Sequence, residues 1–272
     1  MSAAFPRFLR RSLWPGAVVL LWLLPGCATI PAGHTDRPVA NTVGQGLLDD
    51  WLVRSDQNRT LQGLARFKVQ TPERTVSGTQ VVLAETPGRL RAETLSPFGT
   101  PLLIMTVSDA ELAVLVTGDS RFYQGPPTPE NLSRFTRLPL RPGDLVDILL
   151  QRPPVVARQS AATYMLAEGG WKVVLESSRR RQELRFDAER RLVGVSYLSG
   201  EEPQLTVVYG DFDGTTRAAP RRIEMALPAQ KIQASLAFDD LALNRQFQPE
   251  VFRQSAPAGA ILMRLDEPAE DR

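Results

Sequence analysis

The chain has 272 residues, of which 43% are hydrophobic and 23% charged, and this length suits one large domain or two small ones. A single cysteine excludes a disulfide scaffold, and a single histidine excludes a metal site built from several histidines. The 22 prolines and 19 glycines indicate many turns rather than long helices.

Residues 1–26 have the layout of an export signal. Three of the 32 basic residues, Arg7, Arg10 and Arg11, precede an uncharged apolar stretch at 13–24. This stretch is too short to span a bilayer as a helix, which needs about 20 apolar residues. Removal of the segment would leave 29 basic residues against 30 acidic ones. The net charge therefore gives no support for binding to nucleic acid or another polyanion.

The only cysteine follows the apolar stretch directly. Leu24, Pro25, Gly26 and Cys27 resemble the lipobox of bacterial lipoproteins, in which the thiol is acylated, for example with palmitate, and becomes the first mature residue. An ordinary signal peptide with an incidental cysteine is the alternative. Ala28 stands where an aspartate would favour the inner membrane in enterobacteria. We therefore expect a lipid-anchored protein on the periplasmic side of the outer membrane.

The segment after the signal lacks periodicity. Residues 27–43 are predicted to be the acylated cysteine and a flexible tether, in which His34 is solvated and not catalytic. Three helices are predicted from apolar spacing and capping residues, at 46–59, 128–135 and 144–150, with Asp144 as the cap of the third.

Most of the remaining chain alternates between apolar and polar residues, and turns recur about every ten residues. The clearest strand places Ile232, Ala234, Leu236 and Phe238 on one face. We expect about ten or eleven strands in one antiparallel sheet, in a single domain over residues 44–254. Residues 255–272 are predicted to be a loose tail.

Catalytic motifs are missing from the sequence. The only cysteine is the acylation site and the only histidine lies in the predicted tether, so a Ser-His-Asp or Cys-His arrangement fails. No phosphate-binding loop, HExxH or CxxC motif occurs. We expect no enzymatic activity, no cofactor and no metal site.

The basic run at 179–181 fits a charged hairpin turn better than a lipid-headgroup contact.

So wide a sheet must bury its apolar face against other parts of the chain or a ligand, and three short helices can bury only part of it. A strongly curved sheet with helices in its mouth would leave an apolar cavity for a hydrophobic ligand. The pattern alone leaves open whether that space is empty or filled by side chains.

Several segments resemble the LolB family of outer-membrane lipoprotein receptors and its wider LolA/LolB superfamily. They lie in the order 61–67 (LQGLARF), 89–93 (RLRAE), 95–103 (LSPFGTPLL), 144–150 (DLVDILL) and 220–227 (PRRIEMAL). The resemblance implies an incomplete antiparallel β-barrel of mainly β structure with α (α+β), closed by helices around an apolar cavity. It also implies a monomer that takes the acyl chains of lipoproteins from a periplasmic LolA-like carrier and passes them into the outer membrane.

The same resemblance assigns a loop and a cavity. In that group a tight turn exposes an apolar residue that touches the membrane, and here the turn contains Pro97, Phe98 and Gly99. The alternative is that Phe98 folds back into the core. Alternation along the strands gives the candidates for the acyl-chain cavity, which a register slip of one residue would invert: Phe67, Leu90, Leu103, Met105, Leu112, Val114, Leu145, Leu149, Ile223, Met225, Leu236 and Phe238.

Two other functions remain open at this point. The protein is a scaffold of a cell-envelope complex if the core is filled and the sheet binds a protein. It is a carrier of another envelope lipid if the cavity takes a free lipid rather than a lipoprotein.

Overall fold

Alternating apolar and polar residues form the strands of a single β-sheet. The computed structural model describes residues 36–212 and 219–266. Within these ranges the sheet has 15 strands. Their bounds are β1 Arg37–Val39, β2 Thr60–Gln70, β3 Thr75–Glu85, β4 Arg89–Leu95, β5 Pro101–Val107, β6 Leu112–Val116, β7 Arg121–Gly125, β8 Ser160–Met165, β9 Trp171–Glu176, β10 Arg181–Phe186, β11 Leu192–Ser199, β12 Glu202–Gly210, β13 Arg222–Leu227, β14 Ile232–Leu243 and β15 Ile261–Arg264.

The sheet is open. Its strand order is β1-β8-β9-β10-β11-β12-β13-β14-β2-β3-β4-β5-β6-β7-β15, and all neighbours are antiparallel except β7 and β15, which run parallel. Within the described ranges, β1 and β15 form the two edges and do not pair with each other. This architecture confirms the predicted incomplete antiparallel barrel, with 15 strands instead of ten or eleven.

Two meanders meet in the middle of this sheet. One comprises β2 to β7 and the other β8 to β14, and they join where β14 pairs with β2. On β14 the side chains of Ala234, Leu236 and Phe238 are buried, and Leu236 lies opposite Phe67 of β2. The predicted alternation of this strand therefore has the correct register at the central junction of the sheet.

Three α-helices lie among these strands: α1 Asn41–Asp56, α2 Pro129–Thr136 and α3 Pro142–Leu149. The Thr128 hydroxyl caps α2 by accepting a hydrogen bond of 3.2 Å from the backbone N–H of Asn131. The predicted cap of α3 is wrong: the helix begins at Pro142 after Arg141, and Asp144 lies in its first turn. Proline is favoured there because its missing N–H would have no helical partner.

The structure also corrects two segments that we predicted to be irregular. Residues 37–39 of the predicted tether pair with β8, and α1 already begins at Asn41. A salt bridge of 2.6 Å from Lys172 Nζ to Asp36 Oδ2 holds the start of this segment. In the predicted tail, residues 261–264 form β15 beside β7. The signal at 1–26, Cys27 and His34 lie outside the described residues.

The chain crosses the sheet between β7 and β8. β7 lies next to the edge strand β15, whereas β8 lies next to the opposite edge strand β1. The connection carries α2 and α3, and α3 buries Leu145, Val146, Ile148 and Leu149 against the sheet. We call the face that forms one core with α1 and α3 the inner face. No helix among the described residues is long and apolar enough to span a membrane.

Polar side chains of the sheet hold this connection in place. Tyr209 Oη donates a hydrogen bond of 3.1 Å to the Ile148 carbonyl at the end of α3. Tyr197 Oη donates one of 2.6 Å to the Pro154 carbonyl, which also accepts a bond of 2.9 Å from the buried Gln182 amide. Burial raises the pKa of both tyrosine hydroxyls above the ordinary value, so each remains a protonated donor.

We expect Tyr209→Phe to lower the free energy of unfolding by about 1 kcal/mol, because it removes one buried hydrogen bond without removing the ring. Urea denaturation would measure the change. Tyr164→Phe is the matched control, since the Tyr164 hydroxyl makes no hydrogen bond within the described residues and its loss should be near neutral. Equal stabilities of the two variants would contradict the expectation.

Candidate functional site

An apolar cavity lies between the inner face of the sheet and the helices α2 and α3. Its volume is about 250 Å³. Protein interiors leave few voids larger than a water molecule, so this space is not ordinary packing. Of the two possibilities that the sequence left open, the structure fits a space that side chains do not fill.

Eight of the twelve predicted lining residues surround this cavity: Phe67, Leu90, Leu103, Met105, Leu145, Leu149, Met225 and Leu236. The other four do not line it, and they are buried in the packed core: Leu112, Val114, Ile223 and Phe238. Val114 lies opposite Met105, and Ile223 lies opposite Leu236. They share the inner face with lining residues, but neighbouring side chains cover them.

Strand pairing explains both the predicted and the missed lining residues. Ala92 lies opposite Met105 on β5, and Ala234 lies opposite Val69 on β2, so small side chains face larger ones and leave space. The same alternation that gave Leu90 could have identified Ala92. The remaining lining residues are Val69, Val76, Gln80, Val82, Ala92, Thr94, Phe135, Thr136, Leu138, Ala234 and Ser235. Those from α2 depend on tertiary packing, which strand periodicity does not show.

A second chamber of about 210 Å³ adjoins the cavity, and we call it the outer chamber. Six residues line both spaces: Phe67, Val69, Val76, Leu103, Phe135 and Thr136. The rest of its wall is formed by Arg74, Arg134 and Arg137. The outer chamber is therefore the mouth of the cavity, apolar on one side and cationic on the other.

The predicted membrane-contact turn is strongly exposed. The Ser96 carbonyl accepts a hydrogen bond of 2.9 Å from the Gly99 N–H, and the Ser96 and Thr100 hydroxyls are 2.7 Å apart. Gly99 has a φ of 81°, a conformation that glycine adopts without strain. Phe98 at the tip is 93% exposed. The alternative in which Phe98 folds back into the core is therefore wrong.

This turn and the cavity mouth lie at the same end of the sheet. The β2–β3 hairpin turns at residues 71–74 and carries Arg74, and the β4–β5 hairpin turns at 96–100 and carries Phe98. Because β3 and β4 are antiparallel neighbours, both hairpins end on one side of the sheet, and the β2–β3 hairpin extends four residues beyond the end of β4. Phe98 and the arginine-lined outer chamber therefore lie at the same end of the sheet.

The basic run at 179–181 has a structural role. The backbone N–H of Ser177 donates a hydrogen bond of 2.9 Å to the Arg180 carbonyl, which closes the hairpin between β9 and β10. Arg181 pairs with Glu183 at 2.8 Å and with Glu201 at 3.1 Å. The predicted charged hairpin turn is what the structure contains.

Two surface carboxylates that lie next to a second acidic residue in the sequence are engaged in ion pairs. Asp50 pairs with Arg190 at 2.8 Å, and Asp239 pairs with Arg66 at 2.9 Å. Within residues 36–212 and 219–266, no group of three or more His, Cys, Asp or Glu side chains is placed to hold a metal ion. The lining of the cavity is instead apolar, apart from the Gln80 amide and the hydroxyls of Thr94, Thr136 and Ser235.

No protein-family model matches the sequence, and no curated protein matches it in sequence. Solved structures are similar in fold. A DUF1329 family protein from Desulfovibrio piger is 11% identical with a TM-score of 0.50, over 80% of this chain and 99% of that chain. A LolA superfamily protein from Nitrosomonas europaea is 15% identical with a TM-score of 0.47, over 76% of this chain and 97% of that chain.

A domain described as an outer-membrane lipoprotein-sorting protein, from Vibrio parahaemolyticus, is 8% identical with a TM-score of 0.47. The match covers 78% of this chain and 97% of that domain. At these identities the likeness is one of fold.

Asp147 provides a test of the electrostatics above the cavity. It lies on α3 but does not line the cavity, and burial raises its pKa above the ordinary value of 3.8 while Arg152, at 4.0 Å, opposes that shift. Ionised Asp147 therefore costs stability at every pH above its raised pKa, and the cost disappears below 3.8, where both states are protonated.

We expect Asp147→Asn to raise the free energy of unfolding at pH 7, by less than about 1 kcal/mol because the side chain is partly exposed. The gain should shrink as the pH falls through the raised pKa. Urea titrations of both proteins across this pH range would measure it. Asp144→Asn is the control and should lower stability, since it removes a carboxylate from the first turn of α3. A gain that does not depend on pH would rule out the assigned cause.

Proposed function

We propose that the protein is a lipid-anchored outer-membrane lipoprotein that passes other lipoproteins into the outer membrane. It receives them as a monomer from a periplasmic LolA-like carrier, holds their acyl chains in the cavity and releases them beside Phe98. The Vibrio domain is named for lipoprotein sorting, and this activity comes to the present chain as part of the proposal.

The observation that carries the proposal is the position of the cavity mouth. The apolar cavity opens, through the outer chamber, at the end of the sheet where a phenylalanine stands 93% exposed. An exposed aromatic tip is unfavourable in water and favourable at a bilayer interface. With this end against a membrane, acyl chains would move from cavity to bilayer with little exposure to water.

The transfer needs no covalent chemistry, and we propose that the protein is not an enzyme. Each methylene taken out of water contributes about 0.8 kcal/mol, so an apolar cavity alone can hold a fatty acyl chain. Because the bilayer offers the same environment, release is not opposed by the hydrophobic effect. The direction of transfer then depends on the concentration of acyl chains bound to the protein and present in the bilayer.

The two alternatives make different use of the same sheet. A scaffold needs no cavity, and the open space of about 250 Å³ argues against it. A carrier of a free envelope lipid would use the same cavity, and the bound species separates it from a lipoprotein carrier. Mass spectrometry of the lipids that copurify with the protein would identify that species.

We expect Leu103→Glu to weaken the binding of a fluorescent diacylated lipopeptide at least about tenfold, because the carboxylate would lose its hydration against the acyl chain. Leu103 lines both the cavity and the outer chamber. Leu102→Glu is the matched control, since Leu102 is the preceding residue on β5 and is 49% exposed. Anisotropy titrations would give both affinities, and thermal unfolding would show that both variants fold.

The cavity would not be the acyl-chain site if Leu103→Glu and Leu102→Glu bound the lipopeptide with the affinity of the unchanged protein. Loss of binding in both variants would also count against it, because Leu102 does not line either space.

We expect Phe98→Glu to leave lipopeptide binding unchanged and to abolish release into liposomes, because a charged tip no longer enters the bilayer interface. Stopped-flow fluorescence of labelled lipopeptide moving from protein to liposomes would measure the rate. Ile261→Glu is the control, since Ile261 is also exposed, at 56%, but lies on the edge strand β15. Transfer by Phe98→Glu at the rate of the unchanged protein would defeat the assignment of this loop.

A further inference from the structure

Three arginines form the cationic wall of the outer chamber. Arg74 lies in the β2–β3 turn, Arg134 lies on α2, and Arg137 follows α2 directly. They come from two elements more than fifty residues apart in the sequence, so the fold brings these charges together at the mouth. No acidic residue lines the cavity or the outer chamber among the described residues.

These arginines are also without carboxylate partners. Arg91, in contrast, pairs with Glu93 at 2.6 Å. In residues 36–212 and 219–266, no carboxylate oxygen lies within 4.0 Å of the guanidinium of Arg74, Arg134 or Arg137. Like charges gathered in one concave site raise the local positive potential, and an anion bound there relieves it.

The acidic residue next to Arg74 in the sequence is already engaged. Glu73 Oε2 accepts a hydrogen bond of 2.6 Å from the Thr71 hydroxyl, and this bond lowers the pKa of the Glu73 carboxyl. The charge of Arg74 also lowers the pKa of this carboxyl, so Arg74 is partly compensated by its own hairpin. On α2 the only acidic residue is Glu130, which lies one turn before Arg134 on the same side of the helix, but their charged groups are more than 4.0 Å apart. No salt bridge neutralises Arg134 or Arg137 within residues 36–212 and 219–266.

The position of this charge defines the ligand that fits. The guanidinium groups adjoin Phe67, Leu103 and Phe135, which line both spaces, so charge and apolar surface meet at one boundary. Guanidinium groups bind phosphate and carboxylate by paired hydrogen bonds. An amphiphile with an anionic group next to its chain would satisfy both halves of the site at once.

We propose that the outer chamber is a binding site for an anionic group, phosphate or carboxylate, attached directly to the acyl chain that occupies the cavity. Among single-chain amphiphiles, the site thus prefers anionic ones to neutral ones. The inference rests on the proposed function only in taking the cavity to hold an acyl chain. Because the acyl chains of a lipoprotein are attached through neutral ester and amide bonds, the anionic site concerns a second class of ligand, free anionic lipids. It adds a selection by charge that the apolar cavity cannot make.

A series of ligands with one chain and different head groups tests this selection. Dodecyl phosphate, dodecanol and dodecyltrimethylammonium carry a negative, a neutral and a positive head group. Isothermal titration with the purified full-length protein would give their affinities below the concentrations at which they form micelles. We expect dodecyl phosphate to bind about tenfold more tightly than dodecanol, dodecyltrimethylammonium to bind most weakly, and the preference to shrink at high salt.

The variant Arg134→Gln/Arg137→Gln should bind dodecyl phosphate no more tightly than dodecanol and should keep its affinity for dodecanol. Retained dodecanol binding also shows that the variant is folded. The single change Arg134→Gln, at an exposed position of α2, should lose part of the preference. Arg179→Gln is the control with the same loss of charge on the distant β9–β10 hairpin, and it should keep the full preference.

The outcomes separate this inference from the proposed function. Equal affinities for dodecyl phosphate and dodecanol would overturn the inference and leave the acyl-chain cavity intact. A preference that survives Arg134→Gln/Arg137→Gln would overturn it as well. Failure of all three ligands to bind would overturn the proposed function itself. Displacement of dodecyl phosphate by laurate would support the inference and extend the site to carboxylates, whereas binding of dodecyl phosphate without displacement by laurate would assign the anion as phosphate.

Discussion

The path of the chain between β7 and β8 is the constraint on which the remaining architecture depends. These strands lie beside opposite edges of a single sheet, so the connection must travel across the inner face to reach its next partner. A wide sheet needs cover on its apolar face, and this crossing supplies it. α3 meets the need with an almost wholly apolar face, in which Val146 and Ile148 are completely buried.

The cover is incomplete, and the cavity is the result. α2 and α3 have eight residues each, which is little against a sheet of 15 strands. Beneath them Ala92 and Ala234 contribute short side chains at positions where larger ones would close the space. The hydrogen bonds of Tyr209 and Tyr197 fix the crossing at its α3 end, away from α2. The mouth therefore opens at the α2 side, next to the β2–β3 hairpin.

The sheet and eight of the twelve proposed lining residues could be predicted from the sequence, because both follow from alternation of apolar and polar residues with a period of two. Phe67, Leu90 and Met105 all lie on the inner face, as predicted. Sequence reasoning missed β15, whose four residues are all exposed and which pairs parallel to β7 through a long return of the chain. It also missed the cationic wall, because Arg74 and Arg134 meet only through the crossing of the helices. Local pattern predicts a residue's face, whereas tertiary contacts decide which distant residues share a site.

The unpaired edges of the sheet have a consequence for the range of molecules that the interior can hold. In a closed barrel, strand number and stagger together fix the diameter. Here β1 and β15 leave the described sheet open, so its curvature can change without breaking an inter-strand hydrogen bond. Under the proposed function, the interior can therefore adapt to occupants of different girth, and selection depends on the groups at the entrance rather than on a fixed diameter.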